Sequence, residues 1–215
     1  MDELKQLTLL ETRVLGVLVE KEITVADSYP LTLNSLVSGC NQKSSRDPLM
    51  NLTEAQVKEA LDELRRRSLI METSGGRAWR YAHNVPKGLG LSSAETAIIA
   101  ALWLRGAQTS GELRINAERF YRFADLSSVE AYLEDMATKT PARVVKLPRQ
   151  PGAREARWMH LYSGTPTEEF IAETLSPPTR GAGGAALAEL LSRIEELEAK
   201  VDRLGAVVDE LKSKS

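Results

Sequence analysis

The stretch from Asn51 to Val85, NLTEAQVKEALDELRRRSLIMETSGGRAWRYAHNV, constrains the fold most, because its hydrophobic period changes once, from helical to strand-like. Thr53 and Gln56 form a capping box, in which the Thr53 hydroxyl accepts from an orphan N–H of the first turn and Gln56 reaches back. Val57, Ala60, Leu61 and Leu64 follow at spacings of three and four, one apolar face of a helix. After Leu69 the period becomes two: Ile70 and Glu72 alternate with Met71 and Thr73, and Trp79 and Tyr81 alternate with Arg80 and Ala82. Ser74-Gly75-Gly76-Arg77 separates the two runs, and Gly-Gly in that place signals a hairpin.

Upstream, Thr8 and Glu11 make another capping box, so a largely buried first helix is expected over residues 9–22 through Leu10, Val14, Leu15, Val17, Leu18 and Val19. Tyr29-Pro30 ends the connector, and Leu31 or Thr32 opens a second helix through Leu33, Leu36, Val37 and Cys40. Helix, helix, helix, hairpin is the order of a winged helix-turn-helix, here over residues 1–85. Val85-Pro86-Lys87-Gly88-Leu89-Gly90 reads as a linker.

A second copy follows over residues 91–163. Glu95-Thr96-Ala97-Ile98-Ile99-Ala100 echoes Glu11-Thr12-Arg13-Val14-Leu15-Gly16, again behind a capping box, Ser92 with Glu95. Thr109 and Ser110 open its second helix, and Ser127 with Glu130 opens a third that buries Val129, Tyr132, Leu133 and Met136. Strands are expected over residues 142–147 and 157–162, with Trp158 matched to Trp79. The fold class is therefore mostly α with small β-hairpins (α+β), a tandem pair of winged-helix domains.

The C-terminal part has its own pattern. Residues 166–175 suit a short helix, and residues 176–184 form a Pro/Gly-rich linker. Over residues 185–213, Leu187, Ile194, Val201 and Val208 then fall at heptad a positions, and Leu190, Leu197, Leu204 and Leu211 at d. β-Branched residues at three of the four a positions, with Leu at every d, favour a parallel two-stranded coiled coil, so a homodimer through this helix is expected. The alternative is an amphipathic helix packed on its own chain, since Leu191 and Val207 widen the stripe.

Chemistry needs a constellation, and the sequence offers none. Cys40 is the only cysteine, which excludes an internal disulfide and a multi-thiolate metal site. His83 and His160, the only histidines, sit near strand ends, where partly exposed structural histidines are expected. No catalytic residue, metal site or cofactor is predicted, and the protein is read as non-enzymatic. The first residues lack a signal-peptide pattern and no apolar run reaches membrane-spanning length, so a cytoplasmic protein without a membrane partner is expected. With 30 acidic and 28 basic side chains, net charge argues neither for nucleic acid nor against it.

The capped start at Thr8, the run Asn41-Gln42-Lys43-Ser44-Ser45-Arg46-Asp47-Pro48, the following Asn51-Leu52-Thr53-Glu54 and the Gly75-Gly76-Arg77 turn resemble the bacterial YceH family. The resemblance covers residues 7–162. It implies a pair of winged-helix domains and brings with it no reaction, ligand or cofactor.

Two uses of such a fold compete, because winged helices serve both. For double-stranded DNA and a transcription-regulator-like role stand the basic hairpins, with Arg77 and Arg80 in the first and Arg149, Arg154 and Arg157 in the second. Lys43, Ser44, Ser45 and Arg46 precede the third helix as candidate phosphate donors, and Thr53 and Gln56 at its start could reach base edges. Against it stand Glu59, Asp62 and Glu63 on one third helix and Glu130, Glu134 and Asp135 on the other, carboxylates that phosphate repels. They favour the alternative, a protein-interaction scaffold.

Overall fold

The computed structural model describes residues 6–75 and 78–175. Its first half runs α1 (Leu9–Thr24), a short 3-10 turn (Ala26–Ser28), β1 (Leu31–Thr32), α2 (Leu33–Cys40), α3 (Glu54–Arg66), β2 (Ile70–Gly75) and β3 (Ala78–His83). After α4 (Val85–Leu89), the second half runs α5 (Ser93–Arg105), α6 (Ser110–Ala117), α7 (Leu126–Thr138), β4 (Val144–Lys146) and β5 (Trp158–His160), and α8 (Glu168–Leu175) follows. About half of the described residues are helical, and the strands form two small antiparallel sheets, β1-β3-β2 and β4-β5, so the fold is α+β.

Capping chemistry starts the helices where the sequence places it. Both reciprocal bonds of the capping box are present at Thr8–Glu11, Thr53–Gln56, Ser92–Glu95 and Thr109–Glu112. The start of α7 differs from expectation: Asp125, not Ser127, is the cap, and its carboxylate accepts from the Ser128 N–H at 2.7 Å. An ionised cap beside three free N–H groups is the stronger acceptor.

The two halves are built on one plan, and the strand register defines their equivalence. In the first, Leu31 pairs with Tyr81 just before the cap Thr32; in the second, Gln108 pairs with Trp158 just before the cap Thr109. Trp158 therefore corresponds to Tyr81 and not to Trp79, which corrects the match expected from sequence. Tyr81 and Trp158 are both buried, whereas Trp79 is 59% exposed. By the same register His83 corresponds to His160, and both are buried, contrary to the partial exposure expected.

One cluster of buried apolar side chains runs through both halves, and the described residues as far as Glu173 form one compact unit. Its centre is the pair α1 and α5, the two echoing helices, which pack side by side. Gly16 makes the approach close, since a Cβ there would stand 3.0 Å from the Leu104 side chain. Leu15 and Leu18 of α1, with Ile98, Ile99 and Leu102 of α5, are fully covered, because each helix has neighbours on nearly every side. The Leu7 N–H donates to the Tyr162 carbonyl and the Asp47 N–H to the Leu104 carbonyl, at 2.6 and 2.8 Å, further ties between the halves.

Segment 85–90 corrects the linker reading. It is helix α4, with Val85 buried and Gly90 closing it at φ +60°, where a side chain is disfavoured. Pro86 is compatible because it stands in the first turn, where its missing N–H costs no intrahelical bond. The second hairpin is shorter than expected, three residues per strand. Arg77 and the heptad residues Leu187, Leu190, Ile194, Leu197, Val201, Leu204, Val208 and Leu211 lie outside the described residues.

Candidate nucleic-acid interface

The loop between α2 and α3 is held from inside. Arg13 on α1 is fully buried and donates to the carbonyls of Cys40 and Pro48, at 3.3 and 2.8 Å. Asn41 clamps the far end, exchanging two hydrogen bonds of 2.8 and 2.7 Å with the Leu52 backbone. Arg46 points inward as well: its side chain is 0% exposed, it donates to the Gly39 carbonyl, and it forms a two-pronged ion pair with the buried Glu20, at 2.5 and 3.2 Å. Arg46 is thus a structural cation, which corrects its reading as a surface phosphate contact.

The other loop residues divide. Lys43 and Ser44 are exposed. Ser45 is half-buried in the left-handed region, φ 61°, and its hydroxyl accepts from Arg105 Nη2 at 2.6 Å. Thr53 and Gln56 are exposed at the start of α3, with Thr53 N–H donating to Gln56 Oε1 at 2.9 Å, so the box that caps the helix also fixes both side chains.

On the hairpins the arginines are unequal. Arg80 is half-buried and donates to the Pro30 carbonyl at 2.8 Å, bracing β3 against the chain before β1. Arg157 is half-buried, donates to the Ala107 carbonyl at 2.8 Å and lies 3.4 Å from the Glu112 carboxylate. Arg149 and Arg154 are exposed on the second turn without a carboxylate partner among the described residues. The structure thus brings Ser45, Arg46 and Arg157 to one pocket and leaves Lys43, Arg149 and Arg154 at the surface.

The acidic helix faces are partly neutralised by their own helix. Arg65 lies 3.8 Å from Asp62 and 2.9 Å from Glu72, Arg66 pairs with Glu63, and Lys139 with Asp135 at 2.8 Å. Glu59 on α3, and Glu130 and Glu134 on α7, are exposed without a cationic partner among the described residues. Beside α3 runs a groove of about 480 Å³ with Glu11, Glu59 and Glu63 on its walls.

Sequence reasoning missed the cations at the joint of the halves. Arg105 closes α5, and Arg119, just past α6, lies 2.7 Å from Glu20. Burial would raise the Glu20 carboxyl, but its bond to Arg46, with Lys21 and Arg119 beside it, carries it below the usual carboxylate range. Burial, then Arg119 and Arg46, lower the affinity of Arg105 for its proton. The only signal in the sequence is an arginine that follows the apolar run Ala-Leu-Trp-Leu. Among the described residues there is no cluster of groups that could hold a metal ion, and no helix is long and apolar enough to cross a membrane.

Residues 7–153 match the family described as a protein of unknown function, DUF480. The chain is similar to a UPF0502 protein of Cupriavidus taiwanensis, 50% identical over 210 residues that span 97% of this chain and 86% of the relative. It is similar, too, to UPF0502 proteins of Leptothrix cholodnii (51% over 213 residues, 96% and 94% of the two chains) and Dechloromonas aromatica (51% over 204 residues, 94% of each).

Proposed function

The chain belongs to this bacterial family, DUF480 or UPF0502, and from that premise we propose that it is a tandem winged-helix protein that binds double-stranded DNA in a transcription-regulator-like role. The observation that carries the reading is the set of exposed cations without carboxylate partners among the described residues, Lys43 ahead of α3 and Arg149 and Arg154 on the second hairpin turn, together with the exposed, capped start of α3. Cations so placed grip phosphates, and Thr53 and Gln56 stand where the first turn of a recognition helix meets base edges. Internal pairing of Asp62 and Glu63 reduces the repulsion that their carboxylates would otherwise exert on a phosphate backbone.

The protein works without catalysing a reaction. Burial pushes the Cys40 thiol up to about 12 and holds His160 down to about 4, which suits core residues better than a nucleophile and its base. It acts in the cytoplasm as a homodimer through the heptad helix of residues 185–213. Removing residues 176–215 then yields a folded monomer by light scattering; retention of the full-length subunit number contradicts this.

A specific observation favours the second reading, a protein-interaction scaffold. The groove beside α3 carries Glu11, Glu59 and Glu63 with Arg67 also on its wall, Glu59 being without a cationic partner among the described residues, and Trp79 is largely exposed, an aromatic of the kind that anchors protein interfaces. Recovery of bound DNA and bound protein from cells under one mild salt condition separates the two. DNA recovered with the protein supports the regulator, and a stoichiometric basic protein without DNA supports the scaffold.

A further inference from the structure

The joint between the halves concentrates positive charge around one carboxylate. Glu20 is shared by Arg46, Arg119 and Lys21, at 2.5, 2.7 and 3.4 Å. Arg105 lies within the field of Arg46 and Arg119, and no carboxylate stands within ion-pair distance of it among the described residues. Among the described residues its side chain donates to Ser45, and its Nε is buried with no partner. A buried guanidinium N–H left unpaired costs free energy unless a ligand or water meets it.

The space beside these groups is a polar pocket of about 260 Å³, lined by Ser45, Arg46, Arg105 and Arg157, with Asp47 and Glu112 also on its wall. Arg46 is committed to Glu20, and Arg157 has, among the described residues, a 3.4 Å contact with Glu112 besides its bond to the Ala107 carbonyl. The Ser45 hydroxyl accepts from Arg105 and so has its own proton to give.

We propose that this pocket seats one phosphoryl group, held by the Arg105 and Arg157 guanidiniums and by the Ser45 hydroxyl. Planar guanidinium forks match phosphate oxygens, and the two wall carboxylates limit the seat to a single anionic group. The left-handed backbone of Ser45 aims its hydroxyl at Arg105 instead of at solvent, and Asp47 N–H bonded to Leu104 O fixes the loop against the end of α5. Because Ser45 comes from the first half and Arg105 and Arg157 from the second, an occupied seat ties the halves together. The phosphoryl group belongs either to a DNA backbone, in which case the seat rests on the reading above, or to a free phosphorylated small molecule.

The test titrates the full chain with inorganic phosphate at constant ionic strength by calorimetry, and separately with a short duplex across salt. Wild type is expected to take up one phosphate per chain. Arg105→Gln is expected to weaken it at least about tenfold. Ser45→Gly, which keeps the left-handed backbone and removes the hydroxyl, weakens it as well, whereas exposed Arg122→Gln leaves it unchanged. A duplex salt slope lowered by about one in Arg105→Gln identifies the backbone as the source, and an unchanged slope identifies a free phosphorylated ligand. Absence of saturable uptake by the wild type at millimolar phosphate, or equal uptake by Arg105→Gln and Ser45→Gly, overturns the seat. Phosphate uptake without duplex binding keeps the seat and removes the DNA reading; duplex binding without phosphate uptake does the reverse.

Discussion

The two halves share one plan, yet their returning strands end differently. Tyr81 and Trp158 are equivalent, both buried and both paired to the residue before a helix cap. Two residues earlier the first half carries Trp79, 59% exposed, where the second carries Ala156. Two residues later the first half has His83, whose Nε2 lies 2.9 Å from Glu22, while the buried His160 has no partner for its Nδ1 among the described residues. The capping glutamates keep the likeness: buried Glu11 lies 3.7 Å from Arg67, and buried Glu95 lies 2.5 Å from Lys139. What repeats is the scaffold of caps and core contacts; what differs is the exposure of the residue two places before the buried aromatic and the partner of the buried histidine two places after it.

The largest effect that sharpens the contrast is at the two tryptophans. Trp158→Ala should cost about 3–5 kcal/mol of stability in urea unfolding, while Trp79→Ala should stay within about 0.5 kcal/mol. Equal losses would break the register equivalence of Trp158 with Tyr81. The joint comes next: Arg46→Ala removes the two-pronged partner of the buried Glu20, leaving it Arg119 and Lys21, and should cost about 1.5–3 kcal/mol, and the double variant with Glu20→Gln should recover part of that loss. Additive losses would show that the pair does not act as a unit.

Next comes the pH dependence of the second half. His160 is held down to about 4 by burial, against an ordinary value of about 6.5. The unfolded chain therefore takes up a proton that the folded one refuses. Stability is fully present above about 6.5 and falls as the pH drops from there toward 4, by an amount on the order of a few kcal/mol. His160→Gln should flatten that slope in unfolding curves taken at several pH values; an unaltered slope would assign the loss to other groups. The smallest effect is at the start of α3, where Thr53→Ala removes an exposed cap and should cost about 1 kcal/mol.

Much of the scaffold was legible in the sequence because its signals are local. The capping boxes at Thr8, Thr53 and Ser92 need only three residues of context, and the apolar stripe of α3 is periodic. Strand β1 was not legible, since it is two residues long and its partner lies about fifty residues away. Segment 85–90 resembles a linker by composition, and only burial of Val85 against the core makes it a helix. Arg46 looked like a surface cation because a polar loop surrounds it in sequence; its partner Glu20 lies on α1, 26 residues earlier in the chain. Of the candidate interface, Lys43, Arg149 and Arg154 stand exposed as expected, whereas Arg80 and Arg157 brace the backbone through carbonyls that sequence does not place beside them.

The central claim, that the exposed cations of this scaffold bind duplex DNA, is tested most directly by titrating a short duplex from low to physiological salt with the wild type and with Lys43→Gln, Arg149→Gln, Arg154→Gln combined. Wild-type affinity should fall with salt, and the triple variant should lower the slope of log affinity on log salt by about two to three, roughly one for each phosphate that is no longer neutralised. No duplex binding by the wild type at low salt, or a slope that the triple variant leaves unchanged, contradicts the claim.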